Sequence, residues 1–222
     1  MSLFNPDSRF MSAFTLMADI VIVNMLFVLS SLPIVTGGMA IRAANVVTGY
    51  MVEGRGSRYG LHYLREFRYG GGKFGGASTQ WWGVLVAIAL GVIYQQWVIF
   101  QAGIDGHLLN LTQGLTLSGI LIIAGISVWF FALQAQLDLQ ATSEEQQKAP
   151  LGETLGRSVI LTFQQLPRTL GALLCIGAAA SLPLWTSVAV WIPAYFFLVP
   201  ALTLFLVQLL VAAPLGRGLA SD

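Results

Sequence analysis

Residues 169–216 read TLGALLCIGAAASLPLWTSVAVWIPAYFFLVPALTLFLVQLLVAAPLG, a run of 48 residues without one Asp, Glu, Lys or Arg. As a single helix this run would measure about 72 Å at ~1.5 Å per residue, against a hydrocarbon core of roughly 30 Å. It therefore predicts a hairpin of two membrane spans. The expected turn is 187–193, because Pro193 disfavours continuous helix and Trp185 and Trp191 on either side suit an interface.

Three more stretches are long and uncharged: 20–41, 74–104 and 106–137. Five spans are expected in all, at 16–36, 80–103, 114–137, 169–187 and 192–213. The fold class is then all-α, a polytopic membrane protein whose residues 1–222 form one integral domain embedded in the lipid bilayer. Composition agrees. Of the 222 residues 56 % are hydrophobic and only 9 % charged, with a mean hydropathy of +0.74. Soluble domains carry roughly 25 % charged residues. Disorder needs the opposite balance. A net charge of +1 gives no basic field for nucleic acid. The one cysteine, Cys175, excludes an internal disulfide and a Cys-based metal site.

Orientation is read from Lys and Arg in short loops. Segment 37–79 holds Arg42, Arg55, Arg58, Arg65, Arg68 and Lys73, and segment 138–168 holds Lys148, Arg157 and Arg168. Arg217 is in the tail. The intervening connections 104–113 and 188–191 hold none. This puts every cation but Arg9 on one side. It predicts an external N-terminus, a cytoplasmic C-terminus and cytoplasmic loops at 37–79 and 138–168. Trp81 and Trp82 then mark the inner end of the second span and Trp97 its outer end. Segment 1–19 lacks the pattern of a cleavable signal. Residues 3–18, with Phe10, Phe14 and Met17 at helical spacing, read as an amphipathic helix in the outer interface.

Two strings interrupt the spans. Ser30-Ser31-Leu32-Pro33 with Gly37-Gly38 breaks the first, and Ser181-Leu182-Pro183 closes the fourth. Both read as span ends, Pro33 removing a backbone hydrogen bond and the two glycines permitting a bend. The run Gly70-Gly71-Gly72-Lys73-Phe74 is no phosphate loop, since Phe follows the Lys and no strand precedes it.

Two loop helices are amphipathic. In 57–69, Leu64 and Phe67 share a face with Gly60, while Arg58, His62, Arg65 and Arg68 lie mostly on another. Leu64, Arg65, Phe67 and Arg68 are candidates for docking a cytoplasmic partner; attraction to anionic lipid is the other reading. In 151–166, Leu151, Leu155, Val159 and Phe163 recur at i, i+4. Glu153, Leu155, Val159 and Phe163 are the docking candidates there.

Polar groups within the spans are few: Asp19, Asn24, Gln95, Gln96 and Gln101 are the candidates, with Gln134 and Gln208 beyond them. Neutral ones of this kind usually join helices by hydrogen bonds. Gly83, Ala87 and Gly91 form a small-residue stripe that predicts close packing against a neighbouring span or partner. There is no Ser–His pair, paired Asp or HExxH, and the expected topology separates His62 from His107. No catalytic residue, metal site or cofactor is expected.

The layout resembles the YesL family of bacterial membrane proteins. The shared features are Leu32-Pro33-Ile34-Val35-Thr36-Gly37-Gly38 after the first span, the basic-aromatic Tyr63-Leu64-Arg65-Glu66-Phe67-Arg68, and Leu166-Pro167-Arg168-Thr169 at the entry to the fourth span. The chain departs from the family at the Gly-rich 70–76. Glu153, Gly156 and Leu166-Pro167 also resemble, at shorter spacing, residue types in the coupling loop of ABC importer permeases. The resemblance implies the bacterial cytoplasmic membrane and a non-catalytic accessory subunit for carbohydrate uptake, working with an ABC importer's permease and ATPase subunits. A stand-alone small-molecule transporter or channel, assembled as a homo-oligomer, is the alternative. The two proline-broken spans and the glutamines of the second span motivate it, and the scarcity of intramembrane charge weighs against it.

Overall fold

The protein is described by a computed structural model covering residues 9–69, 76–140 and 150–217. It is an all-α polytopic membrane protein, with no strand among the described residues. Its helices are α1 (Arg9–Ser31), α2 (Gly37–Val52), α3 (Tyr59–Tyr69), α4 (Ala77–Gln101), α5 (Gly106–Gln140), α6 (Leu151–Gln164), α7 (Leu166–Trp185), α8 (Val188–Phe197) and α9 (Val199–Ala212). Helices α1, α4, α5 and α7 are each long and apolar enough to cross a membrane, and α8 with α9, bent by 56° at the break, is long and apolar enough only when the two are taken together.

The first span differs from the expected 16–36. No breaker separates Arg9 from Ser31, so α1 runs through most of the segment read as a separate interfacial helix; residues 1–8 lie outside the described set. Pro33 ends it, and a short 3-10 turn at Ile34–Thr36 leads into α2.

Helix α2 occupies the first third of the segment 37–79 that reads as a cytoplasmic loop. Thirteen of its sixteen residues are buried. It packs against α1, α3, α4, α5 and α9. Small residues make this possible. A Cβ on Gly38 would come within 2.7 Å of the Ser78 carbonyl oxygen, and one on Gly37 within 2.6 Å of the Trp82 ring. The two glycines thus serve close approach of α4 rather than a bend. Trp82 locks the junction by donating its Nε1–H to the Ile34 carbonyl at 2.6 Å.

Burial is uneven along α5. Its first half exposes Leu108, Leu111, Leu115, Leu117 and Leu121. Its second half carries the core, with Trp129 and Phe130 fully buried and Phe131 and Ala132 nearly so. Trp81, expected at an interface, is a core residue: its ring meets Phe130 at 5.6 Å and its Nε1–H reaches Ser127 at 3.2 Å. The C-terminal half of α4 and the N-terminal half of α5 are joined by Gln95 to Thr116 at 2.9 Å and by reciprocal bonds between Gln96 and Gln113 at 3.2 and 2.7 Å.

Candidate functional site

The site begins with a proline. Pro200 has no N–H to offer the Phe196 carbonyl four residues back, and its ring clashes with that carbonyl in a straight helix. The last apolar segment therefore breaks between α8 and α9 at Leu198. The hairpin turn expected at 187–193 lies earlier, at Thr186-Ser187, and Pro193 is inside α8.

Freed backbone groups inside a membrane need partners. One side chain supplies them. Asn24 of α1, fully buried, donates through Nδ2 to the carbonyls of Tyr195 at 2.9 Å and Phe196 at 2.8 Å, and its Oδ1 accepts from the Ala201 N–H at 2.7 Å. Tyr195 ties the same segment to α7 by donating its hydroxyl to the Ala179 carbonyl.

Beside this break lies a cavity of about 750 Å³. Its wall comes mainly from α4, α5, α7 and α9, with Phe27, Ile41 and Asn45 closing it from α1 and α2. Among the described residues no charged one lines it.

Next to Asn45 a buried polar chain crosses the bundle. Gln208 donates to Asn45 Oδ1 at 2.8 Å; Arg217 donates to Gln208 Oε1 at 2.9 Å and to the Ala132 carbonyl at 2.8 Å. Arg217 also faces Glu53 at 4.0 Å, and Glu53 meets the exposed Arg55 at 3.3 Å. Gly216 makes this possible: its left-handed conformation (φ +69°) turns the chain back after α9. Burial lowers the Arg217 pKa, and the Glu53 carboxylate opposes that. A second pair, Arg42 with Glu66 at 3.6 Å, ties α2 to α3. Arg42 and Arg217, counted above as cytoplasmic loop charges, are thus buried within the bundle.

The docking candidates are differently placed. Helix α3 buries Tyr63 fully and Tyr59 and Phe67 in part, leaving Leu64, Arg65 and Arg68 exposed. Phe67 stacks on Tyr63 at 6.3 Å, and Tyr63 shares a 2.5 Å hydrogen bond with Ser30. Phe67 is accordingly a packing residue, and Leu64 does not share its buried face. Burial pushes the Tyr63 phenol up, with the Ser30 bond opposing; burial and, less strongly, Asp19 do the same to Tyr59. Asp19 itself is half-buried on α1.

Helix α6 follows its hydrophobic periodicity only at its start, where Leu151 and Leu155 are half-buried. Thr154, Ser158 and Thr162 are buried against α5 and α7, while Val159 and Phe163 are exposed. Leu155 is half-buried near Trp81, Phe130 and Phe131. Glu153 is exposed and pairs with Arg157 at 3.5 Å. The hydroxyls bond back to their own helix, as in Ser158 to Thr154 and Thr162 to Ser158 at 2.7 Å, so this face is less polar than it reads. Thr169 completes the seam by accepting Trp129 Nε1–H at 2.9 Å.

The stripe Gly83, Ala87 and Gly91 is exposed, and a Cβ at either glycine would meet nothing within 4 Å. Among the described residues it packs against no neighbouring span. Gln95 and Gln96 join α4 to α5, and Gln101 is exposed at the end of α4. The residues that shape the cavity, Pro200 above all, were missed in the sequence; a proline in mid-span was the available signal. No family model, curated protein or solved structure matches this chain.

Proposed function

We propose that this chain is a non-catalytic accessory subunit of a carbohydrate ABC import system, assembling within the bacterial cytoplasmic membrane with the importer's permease and ATPase subunits. The observation that carries the assembly is the face of α4. Only Ser78, Trp81 and Ile99 of its 25 residues are buried, and Gly83, Ala87 and Gly91 open a groove onto which another helix can close. The carbohydrate system comes from the resemblance to the YesL family.

The cavity beside a broken span favours the second reading, a transporter or channel in its own right. Its lining speaks against sugar as the cargo. A sugar buried there would leave its hydroxyls without hydrogen-bond partners, at roughly 1–3 kcal/mol for each. An importer that supplies its own sugar path would not need one here.

The test is to replace Gly83, Ala87 and Gly91 by Leu, one at a time. The variants should keep the parent's thermal stability, because the new side chains enter open space, and should lose the importer subunits on purification. Full complex yield from all three would remove the proposal's support.

The orientation we propose has the N-terminus outside and the C-terminus in the cytoplasm. Asn110 and Glu153 are both exposed. In a background with Cys175 replaced by Ala, Asn110→Cys should react with an impermeant maleimide in intact cells and Glu153→Cys only after lysis. The reverse pattern would invert the topology.

A further inference from the structure

We propose that the cavity between α4, α5, α7 and α9 is a binding site for the hydrocarbon chain of a bilayer lipid, entered sideways from the membrane. This inference does not depend on any protein partner.

Size comes first. The cavity is a recess open on one side, and its volume of about 750 Å³ is far larger than the gaps that close-packed helices leave between them. It falls within the ~300–1,000 Å³ of small-molecule sites. Small side chains keep it open: Ala89 on α4, Ala124 on α5, and Ala179 and Ala180 on α7.

Chemistry then limits the occupant. Four polar side chains of the wall offer hydrogen-bonding groups, and all four have protein partners. Asn45 donates to the Ile41 carbonyl and accepts from Gln208, each at 2.8 Å. Ser127 donates to the Ile123 carbonyl at 2.7 Å and accepts from Trp81. Thr203 donates to the Val199 carbonyl at 2.8 Å, and Tyr195 to that of Ala179. A wall of this kind stays dry. It suits a ligand with no polar groups of its own at that depth.

The mouth identifies the source. Ile93 and Ile120 line the cavity and are also 64 % and 44 % exposed. Exposed Leu117 and Leu121 flank Ile120 on α5. Because α4, α5 and α7 have the length and composition of membrane spans, that exposed apolar belt faces hydrocarbon. The opening is continuous with it, so acyl chains are the molecules already at the door.

The full chain, purified in a mild detergent, would be titrated with a phosphatidylethanolamine carrying a diazirine halfway along one acyl chain, irradiated, and its adducts mapped by mass spectrometry. Val128 and Val207 belong to the cavity wall and are 9 % and 3 % exposed, so only a chain inside can label them. Their labelling should saturate and be displaced by unlabelled lipid. The double variant Ala124→Phe, Ala180→Phe should lose it while exposed Leu111 and Leu115 label as before. Should that variant misfold, saturation and displacement in the parent chain decide alone. Adducts confined to outward residues, or wall labelling that never saturates, would overturn the proposal.

Discussion

Arg217→Met should lower the unfolding free energy by about 3 kcal/mol, at the low end of what removing one partner of a buried ion pair costs. The change strips a donor from Gln208 and from the Ala132 carbonyl, and leaves the Glu53 side chain, 7 % exposed, with only the solvent-facing Arg55. Arg217→Lys should fall between, because one ammonium cannot reach both acceptors as a planar fork does. Adding Glu53→Met to Arg217→Met should recover part of the loss by removing the stranded charge. Detergent-solubilised protein unfolded by increasing dodecyl sulfate gives these differences. A double variant weaker than Arg217→Met by the full cost of Glu53→Met alone would mean that the two residues are not coupled.

Asn24→Leu should be comparably damaging. A hydrogen bond between membrane helices averages ~0.6 kcal/mol, but here three bonds go at once and strand backbone groups that Pro200 has already deprived of helical partners. The expected loss is about 3 kcal/mol. The companion change Pro200→Ala should lessen it, since the Ala N–H can restore a ladder bond to the Phe196 carbonyl. The same denaturation assay checks both. Equal losses with and without Pro200 would show that Asn24 does not serve the break.

Much of the fold was legible because a span announces itself by length and lack of charge. The bilayer that makes spans easy to find also hides their packing. Outside such a protein is hydrocarbon, so an apolar stripe no longer marks the buried face. Helix α6, which is not among the span candidates, also departs from its stripe: Val159 and Phe163 are exposed, while Thr154, Ser158 and Thr162 face the neighbouring helices. The stripe on α4 failed as an intramolecular contact for a related reason, since small residues prepare a helix for close approach without saying to what. Helix α2 was hidden by its own chemistry. Arg42, Asn45 and Thr48 read as loop, and what offsets them lies far along the chain: Glu66 for Arg42, Gln208 for Asn45. Of the site, Asn24 was visible as a polar residue in a span. Its partners, more than 170 residues away, were not.

We propose that this chain works as a subunit of a larger membrane assembly. Affinity purification of the tagged chain from its native host in a mild detergent, followed by protein identification, tests it most directly. The permease and ATPase subunits of a carbohydrate importer should be recovered in fixed ratio to the chain, and should be lost when Gly83 is replaced by Leu. Recovery of the chain alone, or only of multiple copies of itself, would contradict it.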